Sequence, residues 1–152
     1  MTHWSAAVKR LVQLKADIPK LAANEMVNFA LDNIRKGSWE GVPFAPRDPR
    51  AERDSGRAIL VDTGEGRRSI DARHTESSAT LTANEYMQAH NAGVNKRVNV
   101  RSHSRVRNGR SETVKSFTRE MKLPKRQYTG KSKEQTRRIE KLIATKIIKA
   151  VS

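Results

Sequence analysis

The four histidines, His3, His74, His90 and His103, are the first residues to weigh for chemistry, because imidazole can act as acid, base or metal ligand near neutral pH. They are scattered, and none falls in HExxH or a similar metal-binding spacing. His90 ends a predicted helix beside Tyr86 and could serve as a base or a ligand, but a packed, hydrogen-bonded imidazole is the better reading. Asp62-Thr63-Gly64, followed by Gly66, would allow a phosphate close to the backbone. The Lys-Ser/Thr of a P-loop is absent and so is a full GxGxxG, so a helix cap with Asp62 or Thr63 at its N-cap is preferred. Ser5, Ser69 and Ser132 have no visible triad partners, and the carboxylates mostly lie next to Arg or Lys. With no cysteine in the chain, thiolate chemistry, disulfides and Cys-built zinc sites are excluded. The residues predict a protein that is not an enzyme and uses no cofactor or metal.

Cations are the other chemistry-bearing set. The net charge of the 152 residues is +15. Residues 97–152 hold 17 Lys/Arg against four acids, whereas residues 1–96 hold 14 against 12. The basicity therefore belongs to the C-terminal third, which would attract phosphate backbones or an acidic protein surface. Single-strand binders interleave aromatic rings with cations so that bases can stack, and this third offers only Phe117 and Tyr128. No RNP motif, GXXG loop or zinc knuckle is present. Base reading is not expected; contact with a nucleic-acid backbone stays open.

These cations need elements to position them. The best reading of 97–120 is a long hairpin turning at Asn108-Gly109, the strongest two-residue hairpin signal in the chain. Folding there sets Arg107 opposite Arg110, Arg105 opposite Glu112 and Val100 opposite Phe117. Nearly every other side chain is polar, so both faces are read as wet, and a hairpin of this kind rarely stands alone in water. It is expected to be an arm that docks on a partner through Arg101, Arg105, Arg107, Arg110, Lys115 and Arg119.

The rest of the chain supplies a body for that arm. Apolar residues at helical spacing predict helix over 5–36, in two pieces divided at Pro19 with Asp17 capping the second. Lys36-Gly37 ends it. Three prolines and two glycines between 37 and 50 forbid a long helix or central strand, and Trp39 and Phe44 are expected to pin this loop to the core. Residues 47–57 alternate basic and acidic groups and are read as mobile. Short strands are predicted at 71–75 and 79–82, a short helix from Asn84 to His90 closed by Gly93, and an amphipathic helix over 133–150 capped by Ser132 or Thr129. The expected architecture is a single α+β domain over 1–152. A small antiparallel sheet packs against N-terminal and C-terminal helices, and the hairpin arm protrudes at about 97–120.

Composition sets limits on that body. The apolar fraction is 36% and the aromatic fraction 5%, which predicts a thin core and surfaces that pack only against partners. No apolar stretch reaches membrane-spanning length, and Met1-Thr2-His3-Trp4 lacks the features of a signal peptide. The expectation is a soluble protein of the cytosol, at least until assembly, with no membrane partner.

Four landmarks then stand in an order that resembles the phage virion morphogenesis family, which includes tail-completion proteins of contractile-tailed phages and Mu-like morphogenesis proteins. They are Trp39-Glu40-Gly41-Val42-Pro43-Phe44, the run from Ile59 to Ile70 containing Thr63-Gly64 and Arg68-Ser69-Ile70, Tyr86-Met87-Gln88-Ala89-His90-Asn91-Ala92-Gly93, and Leu123-Pro124-Lys125-Arg126-Gln127-Tyr128-Thr129-Gly130. Gly66 stands where the family usually has leucine, and Tyr128 where it favours phenylalanine. The resemblance implies a structural virion protein of the tail or neck, present in the host cytoplasm during assembly, that completes the tail and mediates head–tail joining. Copies of itself would form a ring, six by the usual symmetry of tails. Its neighbours would be tail tube, tail terminator or head–tail connector proteins, with DNA a further partner in the channel. Trp39, Phe44, Gly64, Tyr86, His90 and Gly93 would then be structural, with Tyr86 and His90 tying the short helix to the sheet. The alternative is a backbone-binding nucleic-acid protein, such as a nucleoid-like or ribosome-associated factor.

Overall fold

Ala23, Ala30 and Ile34 recur at helical spacing on one face, and this buried stripe belongs to a single long helix, α1 (His3–Lys36). The computed structural model describes residues 3–47 and 58–152. The predicted break at Pro19 does not occur. Proline in a helix interior removes one hydrogen bond and costs about 3 kcal/mol. Pro19 is itself buried, four residues before Ala23 on the packed stripe, so tertiary packing carries the helix through it. Asp17, expected as a cap, instead accepts a hydrogen bond at 3.3 Å from Gln13 Nε2, one turn back. Gly37, at φ 67°, ends the helix as expected.

The proline-rich loop forms a minimal hairpin, β1 (Ser38–Trp39) with β2 (Val42–Pro43), closed by Glu40 and Gly41. Both turn residues have positive φ, 48° and 84°, the conformation of a type I′ turn. Phe44 N–H then donates to the Gly37 carbonyl at 2.8 Å, which closes the loop base and turns Phe44 into the core. The apolar run 58–61 is a turn with Leu60 buried at its corner. The helical turn α2 (Glu65–Arg68) follows, then the hairpin β3 (Asp71–His74) with β4 (Ala79–Thr82), and α3 (Glu85–Ala92). Asn84 caps α3 through its side chain, which accepts from the Met87 N–H at 2.9 Å.

Residues 94–123 form the predicted hairpin in two ladders: β5 (Val94–Val100) with β8 (Phe117–Leu123), and β6 (His103–Arg107) with β7 (Arg110–Val114). α4 (Lys133–Val151) closes the fold, capped by Ser132, whose hydroxyl accepts from the Gln135 N–H at 3.3 Å. The class is α+β, as expected. The strands pair two by two, however, and do not form one sheet. α1 covers β3 and β4, while α4 lies against α1.

Arg138 fixes that helix pair. It reaches Asp32 at 3.0 Å and Glu134 at 2.7 Å, and its guanidinium sits 5.1 Å from the centre of the Phe29 ring. The hydrogen bonds to Asp32 and Glu134 raise its pKa. The start of α4 lies near Trp39, since a side chain at Gly130 would touch that indole, so the two helices run antiparallel. The buried core, Ala30, Ile34, Phe44, Leu60, Ile70, Met87 and Tyr128, is small and centred where α1, the Phe44 loop, α3 and the 124–132 segment meet. Of the segment 47–57, expected to be mobile, residues 48–57 lie outside the described residues.

Candidate assembly surface

The arm is built outward from its turn. Asn108 and Gly109 have φ of 51° and 74°, again the pair of left-handed residues that matches the twist of flanking strands. Arg107 pairs with Arg110, Arg105 with Glu112 and Val100 with Phe117, the register read from the sequence. The same register runs from the turn to Val94 opposite Leu123, so the hairpin is longer at its base than the expected 97–120. Only Arg101, Ser102, Lys115 and Ser116 stand outside the ladders. Among the described residues, no other element makes more than marginal contact with the arm, which leaves the body at residues 94 and 123.

All six cations assigned to partner binding are exposed. Because side chains alternate along a strand, the register divides them. Arg101, Arg105, Arg107 and Arg110 share one face with Arg97. Lys115 and Arg119 lie on the other. The first face is polar throughout its base, with Thr118 Oγ1 bonded to Asn99 Oδ1 at 2.7 Å and Lys122 paired with Glu120 at 3.0 Å. Arg105 meets Glu112 at 3.4 Å, both about half-exposed, and a pair of this kind contributes under about 1 kcal/mol. The second face corrects the reading that both are wet. It carries Val94, Val98, Val100, Phe117, Met121 and Leu123 in its basal ladder.

The body anchors the arm through a knot of polar groups that sequence reasoning did not find. Arg126 is 6% exposed and, among the described residues, has no carboxylate partner. It donates from Nε to the Ala45 carbonyl at 2.8 Å, from Nη2 to the Pro46 carbonyl at 2.7 Å, and from Nη1 to His90 Nδ1 at 3.3 Å. Its own N–H donates to the His90 carbonyl at 2.7 Å. Burial, and then the neighbouring Arg126 charge, lower the His90 pKa to about 4, so the ring is neutral and its Nδ1 accepts. Burial also presses the Arg126 pKa down. Asn91 Oδ1 accepts from the N–H groups of Tyr128 at 2.9 Å and Thr129 at 3.1 Å, and Asn33 Nδ2 donates to the Tyr128 carbonyl at 3.1 Å. The segment that follows the arm is thereby strapped to α1 and α3. Nothing in the composition of 124–130 signals this, because the acceptors are carbonyls far away in sequence.

The residues expected to be structural occupy distinct places. Trp39 packs edge-on against Phe29, centroids 5.8 Å apart at 73°, and Phe44 is buried. Gly64, at φ 81°, is itself the N-cap of α2; the Asp62 or Thr63 cap does not form, and Thr63 Oγ1 accepts from the Glu65 N–H at 3.3 Å. Gly93 combines φ 76° with a close approach, since a Cβ there would lie 3.1 Å from that of Lys125. His90 is buried, but Tyr86 is 56% exposed, with one ring edge against His90 at 4.5 Å. Among the described residues, no group of three or more His, Asp or Glu side chains could hold a metal ion.

Residues 2–147 match the phage virion morphogenesis family. The chain belongs to that family. No curated protein and no solved structure matches it. A structural role in the phage virion follows from the family, consistent with a molecule whose largest uncommitted feature is an exposed arm. Among the described residues, no helix is long and apolar enough to cross a membrane.

The two departures from the family's pattern have physical settings here. A Cβ at Gly66 would lie 2.7 Å from Met87 Sδ, so the fully buried Met87 fills the space that a larger residue at 66 would need. Tyr128 is 1% exposed, and burial pushes its pKa up to about 12, so it packs as a neutral ring.

Proposed function

We propose that this protein completes the phage tail and joins it to the head, as a ring of six copies whose arms reach onto neighbouring subunits or adjoining tail and neck proteins. The observation that carries this reading is the 94–123 hairpin: it stands off the body, exposes its cations and, among the described residues, makes no more than marginal contact with the other elements. A two-stranded hairpin is marginal alone in water and gains stability by adding its backbone and side chains to another surface. Membership of a virion morphogenesis family supplies the setting, and the strapped 124–132 segment supplies a firm root for the arm.

The like-charged pair Arg107 and Arg110 at the tip suits an anionic partner, either carboxylates on a tail protein or DNA in the channel. Deleting residues 101–117 tests the proposal. The shortened protein folds, because the basal ladder keeps its pairs from Val94–Leu123 to Asn99–Thr118, yet tails made with it fail to be completed or to join heads. Normal infectious particles from the deletion would refute the arm's role. Tight duplex binding by the free protein, steeply salt-dependent and with no affinity for tails, would favour the nucleic-acid reading.

A further inference from the structure

The register of the arm separates two chemistries that the sequence interleaves. On the face of Phe117, every charged residue is a cation: Lys96, Lys115 and Arg119. The arm's only acids, Glu112 and Glu120, both lie on the opposite face. Phe117 is 47% exposed and sits beside Val100 at the point where the two ladders part, next to an open recess of about 280 Å³. This face therefore fits a surface that is apolar at its centre and rimmed by carboxylates. It does not fit the same face of another arm, which would stack like charges.

The body carries a surface of the complementary kind. A recess of about 330 Å³ is lined by Leu60, Asp62, Glu65, Gly66, Asn84 and the exposed ring of Tyr86. Glu85 adjoins it in the first turn of α3. Asp62, Glu65 and Glu85 are all exposed; Arg68 stands at the recess edge, donating to the Thr63 carbonyl at 3.4 Å, and Arg47 and Arg126 lie in the adjoining pocket with Leu60, Asp62 and Tyr86. The volume admits a phenyl ring, and Tyr86 supplies an aromatic edge for it to meet. A chain's own Phe117 cannot reach this recess. Leu123 lines a neighbouring pocket with Tyr86, and six residues of strand carry Phe117 about 20 Å away from there.

We propose that the Phe117 face of one copy's arm seats in the Leu60–Tyr86 recess of the next copy, with Arg119 and Lys96 against Glu65 and Glu85. The contact uses a different patch on each copy, so it is heterologous, and repeated around an axis such a contact closes into a ring. The inference rests on the proposed function, in that it names which surface receives the arm.

The absence of cysteine provides a clean test. Tails are assembled from a mixture of two tagged forms, one carrying Phe117→Cys and the other Tyr86→Cys, and then oxidised. A disulfide forms only where the two Cα atoms come within about 7 Å. The expected result is a mixed dimer at double the monomer mass, absent when either form is used alone. Arg119→Cys with Glu85→Cys gives the same result if loss of either ring weakens the contact, and circular dichroism verifies that each form folds. No mixed dimer with either pair, while deletion of 101–117 still blocks tail completion, overturns this contact and leaves the arm's role standing. No mixed dimer together with normal tails from the deletion overturns both.

Discussion

The root and the arm of this protein spend their arginines in opposite ways. At the root, Arg126 is buried and its donors are committed to the Ala45 and Pro46 carbonyls and to His90. Along the arm, Arg101, Arg105, Arg107 and Arg110 are exposed, and among the described residues only Arg105 of these four meets an acid. A buried donor set that loses its owner leaves carbonyls unsatisfied in a dry place, whereas an exposed cation that is removed leaves only water behind. The root holds the fold, and the arm is kept for something outside it.

Substitution at the root gives the largest expected effect. Arg126→Ala strips partners from two carbonyls and an imidazole and destabilises the protein by about 3 kcal/mol or more in urea unfolding. Arg101→Gln or Arg107→Gln changes stability by no more than about 0.5 kcal/mol in the same experiment. Equal losses at both places would erase the contrast.

The pH dependence sharpens the comparison. His90 has a folded pKa of about 4 against an ordinary 6.5, so the unfolded chain takes up the proton first. Its contribution is present above pH 6.5 and is lost as pH falls from 6.5 toward 4. At about 1.4 kcal/mol per unit, the loss across that window is about 3 kcal/mol. His90→Gln flattens the slope, and deleting 101–117 leaves it unchanged. Unfolding followed from pH 7.5 to 4 reads both.

A third variant probes packing in the body. Gly66→Leu drives a side chain into Met87 and costs about 1–3 kcal/mol. Adding Met87→Ala makes room and recovers part of that loss, measured as a shift in melting temperature. Should the two changes prove additive, Met87 is not what fills the space. The smallest effect belongs to the arm, where a double-mutant cycle on Arg105 and Glu112 returns under about 1 kcal/mol.

What the sequence made legible follows the same division. The arm was readable because Asn108-Gly109 fixes the turn, and counting outward from it fixes each pair. The two faces escaped because Val94, Val98, Val100 and Phe117 are dispersed among cations, and only parity counted from the turn gathers them. The final helix was a local signal, and of the two caps the sequence offered, Ser132 and Thr129, Ser132 is the one that forms. Pro19 misled because a local rule was set against a buried stripe that overrides it. The Arg126 knot was invisible because a guanidinium bonded to carbonyls of residues 45 and 46 leaves no charge pattern in the chain. Tyr86 was expected to tie α3 to the sheet and instead faces outward.

The central claim, that the arm is completed only by assembly, is tested most directly by hydrogen exchange on the free protein and on the protein in assembled tails. In the free protein, the amides of 94–123 exchange much faster than those of the buried stretch of α1, because among the described residues the ladder is two-stranded and each strand keeps an unpaired edge. In the tail the same amides become protected, while α1 and α3 change little. Arm amides as slow as those of α1 in the free protein, or equally fast before and after assembly, would contradict the account.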